Sequence, residues 1–237
     1  MTLPGPDTIH APPFETNDLR ENLTAYLDTP FTAGDGTTRK VGDFRWGVYA
    51  FFDYDREPIY VGQTNERLRT RIRRHLTNQR TDAVAMSVLD PFEVFEIEVW
   101  PLPQFEGVKS SDAAARAHLD ALERQVTALA VARSRFKAIL NEKDPPPGSL
   151  SVDMPRSFRA RVVSERVFDL RAHPDYRIAR RALIISRLAQ VISERKVQGG
   201  LRRVLLTQAK RLQGLAGRRY EALGGAASVA EHGDDET

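Results

Sequence analysis

Residues 46–76 read WGVYAFFDYDREPIYVGQTNERLRTRIRRHL, and the periodicity of this stretch decides the fold. The run 46–52 (WGVYAFF) is apolar and aromatic, which reads as a buried strand. A second run, 58–62 (PIYVG), follows the polar segment DYDRE, whose length suits a hairpin turn. From Asn65 the pattern becomes helical, with Asn65 as a cap and Leu68, Ile72 and Leu76 on one stripe. Tyr49 and Tyr60 therefore fall on neighbouring strands of one hairpin. Arg71 and His75 stand at i and i+4 on the following helix, so both face the same way. They border the leucine–isoleucine stripe and project toward the sheet, whereas Arg69 and Arg73 point to solvent.

Working outward, the N-terminal side offers a short helix capped by Thr16 or Asn17, with Leu19, Leu23 and Leu27 on one face, then a loop rich in turn formers (29–44). Downstream, 92–100 (FEVFEIEVW) alternates around Glu96 and Glu98 and predicts a third strand with one wet face. A long helix starts near Ser111 or Asp112 and carries Leu119, Leu122, Val126 and Leu129 on one side; a short apolar piece, KAILN, ends it at Asn141. The prolines of EKDPPPGS (142–149) break the pattern. Beyond them only helices are expected: 177–196, a turn at Gly199-Gly200, then 201–223, a helical hairpin with arginines around an apolar seam.

The class is α+β: a small three-stranded antiparallel sheet flanked by helices, followed by a helical C-terminal region. The expected divisions are an N-terminal extension (1–43), a core (44–145), a basic helical region (146–223) and an acidic, disordered tail (224–237).

Apolar residues make up 41% of the 237 and charged residues 28% with mixed signs, the composition of a soluble globular protein. No run of 18 apolar residues suggests a membrane span, and the N-terminus lacks a secretory pattern. The absence of cysteine excludes disulfides and thiolate chemistry and fits a reducing cytoplasm, the expected location. No phosphate-binding loop, dinucleotide fingerprint or zinc spacing is present, so no nucleotide cofactor is expected. The net charge of +3 conceals an asymmetry: residues 151–225 hold 17 Lys+Arg against 6 Asp+Glu, a net of +11. Such a segment is either a footprint for phosphate contacts or a set of solvated helix faces.

Gly47-Val48-Tyr49, Tyr60-Val61-Gly62, Arg71-x-x-x-His75, Glu123 and Asn141, in this order, resemble the GIY-YIG nuclease family over roughly residues 44–145. Singly, each residue has a plain structural alternative; the ordered set is the signal. The resemblance implies a metal-dependent endonuclease acting on DNA. Phosphodiester hydrolysis needs an activated water, neutralisation of the pentacovalent phosphate and stabilisation of the leaving oxygen. The resemblance implies Glu123 as ligand to Mg²⁺ (or Mn²⁺), Arg71 as the fork on the phosphate, and Tyr60 as general base, with Tyr49 placing water or phosphate. His75 would be a hydrogen-bond partner or proton shuttle, and Asn141 would orient the site. The 18-residue gap from Glu123 to Asn141 is long for the family and leaves Asp120 as a rival acid. Gln63 stands where several relatives have a lysine, which argues against a lysine base.

The size and layout are closest to restriction-type members, which implies a restriction or defence role and a dimer on DNA. Arg69, Arg73, Arg74, Arg180, Arg181, Arg202 and Arg203 are the expected nucleic-acid contacts. The alternatives are a DNA-binding or assembly module that does not cut, or an RNA-processing, repair or homing nuclease.

Overall fold

The computed structural model of the chain describes residues 13–77, 88–194, 197 and 199–225. The first 12 residues of the expected N-terminal extension and the acidic tail from 226 lie outside the described residues.

A four-stranded antiparallel sheet runs in the order β4-β3-β5-β6, built from β3 (Gly47–Phe52), β4 (Pro58–Thr64), β5 (Glu96–Pro101) and β6 (Phe158–Arg161). The α+β class read from the sequence is the class observed, but the sheet has a fourth strand where only helices were expected. The strand β6 is only four residues, too short for the local pattern to announce it. Its partner gives the physical reason: Arg159 pairs directly opposite Glu98 and donates to Glu96 at 2.9 and 2.5 Å. The glutamates of β5 therefore meet arginine across the sheet rather than water alone. The expected loop after the first helix also contains a small hairpin, β1 (Pro30–Thr32) with β2 (Thr38–Lys40).

Every residue of β3 is buried, because both faces of the sheet are covered. Alternation sends Val48, Ala50 and Phe52 to one face, against Leu119, Leu122 and Val126 of α3 (Ala113–Arg133). Tyr49 and Phe51 point to the other face, against Leu23 and Leu27 of α1 (Phe14–Asp28) and Leu68 and Ile72 of α2 (Leu68–Leu76). Helix α1 begins after Pro13 and α2 after Arg67, neither with a side-chain cap; Asn65 instead reaches the Ser110 carbonyl. Asp112 caps α3 by accepting from the Ala115 N–H. That helix stops at Arg133, and a turn with Lys137 at φ +50° returns the chain to the sheet. Ten further residues of helix and the returning turn account for the long interval before Asn141.

The C-terminal region comprises α4 (Glu165–Arg171), α5 (Pro174–Glu194) and α6 (Gly199–Ala222). Leu188, Leu201 and Val204 belong to the same apolar cluster as Tyr49 and Phe51. Burying each contributes about 1.5–3 kcal/mol. The seam of this hairpin is not purely apolar: Arg177, Arg181 and Arg211 are buried and converge on Asp53, at 3.4, 2.8 and 2.8 Å. Asp53 lies in the β3–β4 turn, where its other carboxylate oxygen accepts from the Asp55 and Glu57 N–H groups. The basic C-terminal charge is thus partly consumed by acids of the sheet layer, including Glu93 with Arg181 (2.6 Å) and Asp90 with Arg180 (2.6 Å). No described helix is long and apolar enough to cross a membrane.

Candidate active site

Strand β4 is the outer strand of the sheet, and its free edge carries the site. An exposed edge leaves backbone N–H and C=O groups without partners. Here the returning chain supplies them: the Leu140 N–H donates to the Ile59 carbonyl. The Asn141 carboxamide then takes both groups of Val61, accepting from its N–H at 3.0 Å and donating to its carbonyl at 2.7 Å. Asn141 therefore fixes the backbone between Tyr60 and Gly62.

Around this edge the two helical layers meet. Arg71 and His75 come from α2 on one face, and Glu123 from α3 on the other. Tyr60, Gly62, Arg71, His75, Glu123 and Asn141 line one cleft of about 1130 Å³. Tyr49 lies beneath, fully buried, its ring 6.3 Å from that of Tyr60 and 5.8 Å from that of His75. The Tyr60 and His75 rings are 5.2 Å apart.

The glycines of the two tripeptides have steric causes. Tyr49 and Gly62 are opposite across β3 and β4, and the phenol crosses over Gly62: a β-carbon there would lie 2.5 Å from Tyr49 Oη. A β-carbon at Gly47 would lie 2.8 Å from the Trp100 carbonyl oxygen on β5. Gly62→Ala is therefore expected to displace the Tyr49 ring, lower stability by about 1–3 kcal/mol and abolish nucleic-acid cleavage. A melting curve and a cleavage assay check this; a fully active variant would mean that the Tyr49 position is immaterial.

Burial raises the Tyr49 hydroxyl well above the usual phenol value, reinforced by Tyr60 and only partly offset by Arg71. Tyr49 is thus a neutral phenol. Among the described residues neither Tyr49 Oη nor Arg71 Nε has a hydrogen bond of proper geometry, although both are buried and the guanidinium lies close enough to favour the ionised phenol. Glu123 is pushed up to about 7, first by burial, then by the neighbouring Asp120, with Arg71 opposing. Asp120 itself accepts from the Gln63 side chain at 2.8 Å, so the residue found in place of a lysine anchors the rival acid instead.

The arginines proposed as nucleic-acid contacts divide. Arg181 is only 2% exposed and paired with Asp53 and Glu93, which removes it from any contact surface. Arg180 is held by Asp90, Arg74 by Glu66 (2.8 Å) and Arg203 by Asp144 (2.9 Å). Arg69 does not point to solvent: it folds back onto Asp28 at 2.6 Å, while Arg73 donates to Thr24. Arg202 is exposed on α6. Inward orientation of so many arginines follows from the buried acids of the sheet layer, which no local periodicity reveals.

Residues 45–126 match the family model of the GIY-YIG catalytic domain, so this part of the chain is a GIY-YIG catalytic domain, whose activity is that of a phosphodiesterase nuclease. The matched stretch takes in Tyr49, Tyr60, Arg71, His75 and Glu123 and ends before Asn141. No curated protein and no solved structure matches the chain.

Proposed function

We propose that the protein is a Mg²⁺-dependent (or Mn²⁺-dependent) DNA endonuclease of restriction or defence type. The observation that carries the nuclease site is the convergence of Tyr60, Arg71, His75 and Glu123 on one cleft at the β4 edge, with Tyr49 directly beneath.

Glu123 suits a divalent cation. It is a largely buried carboxylate with no ion pair among the described residues, destabilised in its charged form by burial and by Asp120. No group of three or more potential metal-ligating side chains occurs among the described residues, which fits a hard cation that keeps most of its waters. When bound, the cation would supply positive charge for the phosphate and lower the pKa of coordinated water. Arg71 presents its planar fork to the phosphate oxygens. Tyr49, neutral and buried, acts as a hydrogen-bond donor that places the phosphate or the water. That leaves Tyr60, on the cleft wall, as the general base, with His75 beside it to receive or relay the proton. Asn141 acts indirectly, by holding the Val61 backbone.

The restriction reading is supported by additions that pack onto the core through α1, α5 and α6 rather than standing apart. On this reading the enzyme works as a dimer on DNA. The test is digestion of a mixed-sequence plasmid with Mg²⁺ or Mn²⁺, beside single-stranded DNA and RNA. Discrete duplex fragments are expected. A smear retains a nuclease but removes the restriction role; preferential cutting of RNA moves the substrate class; no cutting of any of them favours a binding module on this fold.

A further inference from the structure

Helix α5 is more than a cover for the sheet, because it supplies a wall of the catalytic cleft through Arg180, Ile184 and Arg187. These residues stand at i, i+4 and i+7 and form one stripe. The adjacent stripe, Arg177, Arg181 and Leu188, is buried. The buried ion pairs to Asp53 and Glu93 thus set the rotation of α5, and with it the direction of Arg187.

Several charged groups lining the cleft are already paired: Arg180 with Asp90, Asp144 with Arg203, Arg74 with Glu66. Besides Arg71, assigned above to the scissile phosphate, two cations are not. Arg187 and Lys143 are both exposed, both line the cleft, and neither has an ion-pair partner among the described residues. Lys143 comes from the segment just after Asn141, whose carboxamide is tied to Val61 beside Tyr60. Both cations are therefore anchored by short, rigid connections to the frame that holds the catalytic groups.

We propose that Arg187 and Lys143 bind backbone phosphates adjacent to the scissile one, so that the cut strand runs through the cleft between the catalytic core and α5. This rests on the nuclease reading and deepens it. The C-terminal hairpin positions the substrate at the catalytic groups themselves, through its cleft-facing stripe, and not through the outward arginine Arg202. Both residues are positioning residues that touch the substrate away from the reacting atoms.

The experiment measures binding of a fluorescein-labelled mixed-sequence DNA duplex by Glu123→Gln protein, which retains the cleft but lacks the carboxylate, over a series of salt concentrations. Arg187→Ala and Lys143→Ala are each expected to weaken binding uniformly across sequences. Each should reduce the slope of log K against log[salt] by about 0.9, and the double substitution by about twice that. In the cleaving protein the same substitutions should raise KM more than they lower kcat, with melting temperatures unchanged because both side chains are exposed. Unchanged salt slopes with DNA still bound would overturn the proposal while leaving the nuclease reading intact, as would a loss carried by Arg202→Ala instead. Absence of DNA binding at low salt, together with absence of cleavage by the unsubstituted protein, would remove both.

Discussion

Glu123→Gln is expected to reduce metal-dependent cleavage by roughly a hundredfold to a thousandfold or more while leaving the fold intact, since the loss of one strong electrostatic contributor to a transition state has that size. The substitution keeps shape and removes charge. The charge is disfavoured in the metal-free protein, because burial and Asp120 raise the carboxyl to about 7 from 4.5. A raised carboxyl contributes stability that is fully present below its unfolded value and is lost as the pH rises through its folded value. The metal-free wild type should therefore lose stability on the order of 1–3 kcal/mol between about pH 4.5 and pH 8 from this group. Glu123→Gln should escape that loss, melting at or above the wild type at pH 8, with the gap closing toward pH 5. Metal binding needs the deprotonated form, so the rise in melting temperature on adding Mg²⁺ or Mn²⁺ should be larger at pH 8 than at pH 6 and absent from the variant. Normal cutting by Glu123→Gln, with loss in Asp120→Asn, would transfer the ligand role to Asp120.

Asp53→Ala should be the most damaging substitution for the fold. One carboxylate oxygen of Asp53 receives Arg177, Arg181 and Arg211, and the other organises the β3–β4 turn. Removing it leaves three buried guanidinium groups sharing Glu93, at 2.6 Å from Arg181 and 3.7 Å from Arg211, and Asp55, at 2.8 Å from Arg177. Uncompensated buried charge of this kind costs about 3–5 kcal/mol, which for a chain of this size corresponds to a fall in Tm of roughly 6–20 °C. Asp53→Asn separates the two roles, since its amide oxygen can still accept the turn hydrogen bonds while the charge is gone. A thermal melt of both variants measures the effect, and an Asp53→Asn protein melting within about 1 °C of wild type would show that the arginine cluster is balanced without Asp53. Because the same cluster sets the rotation of α5, a milder variant that stays folded should also weaken DNA binding.

The two strands of the hairpin and the helix after them were legible because their signals are local. Alternation placed Tyr49 and Tyr60 on adjacent strands, and a one-turn spacing placed Arg71 and His75 together. The order of Glu123 behind them singled out an acid on α3, although spacing alone left Asp120 as a competitor. The interval to Asn141 could be counted but not interpreted, because its cause is a helix overrun and a return turn that ends on a strand edge.

What the chain's own pattern determined is the β3–β4 hairpin, strand β5, the longer helices and the identity of the groups they carry, since periodicity and backbone preference act over a few residues. Tertiary structure alone decided the pairing of β6 with β5 and the inward turn of Arg177, Arg181 and Arg211. It also decided that Asn141 serves the backbone of β4 and that α5 forms a cleft wall. Each of these depends on a partner from about 60 to nearly 160 positions away, such as Glu98 for Arg159 or Asp53 for Arg211. The direction of a long charged side chain is set by where a buried opposite charge lies, and burial is a property of the assembled layers, not of the segment that carries the charge.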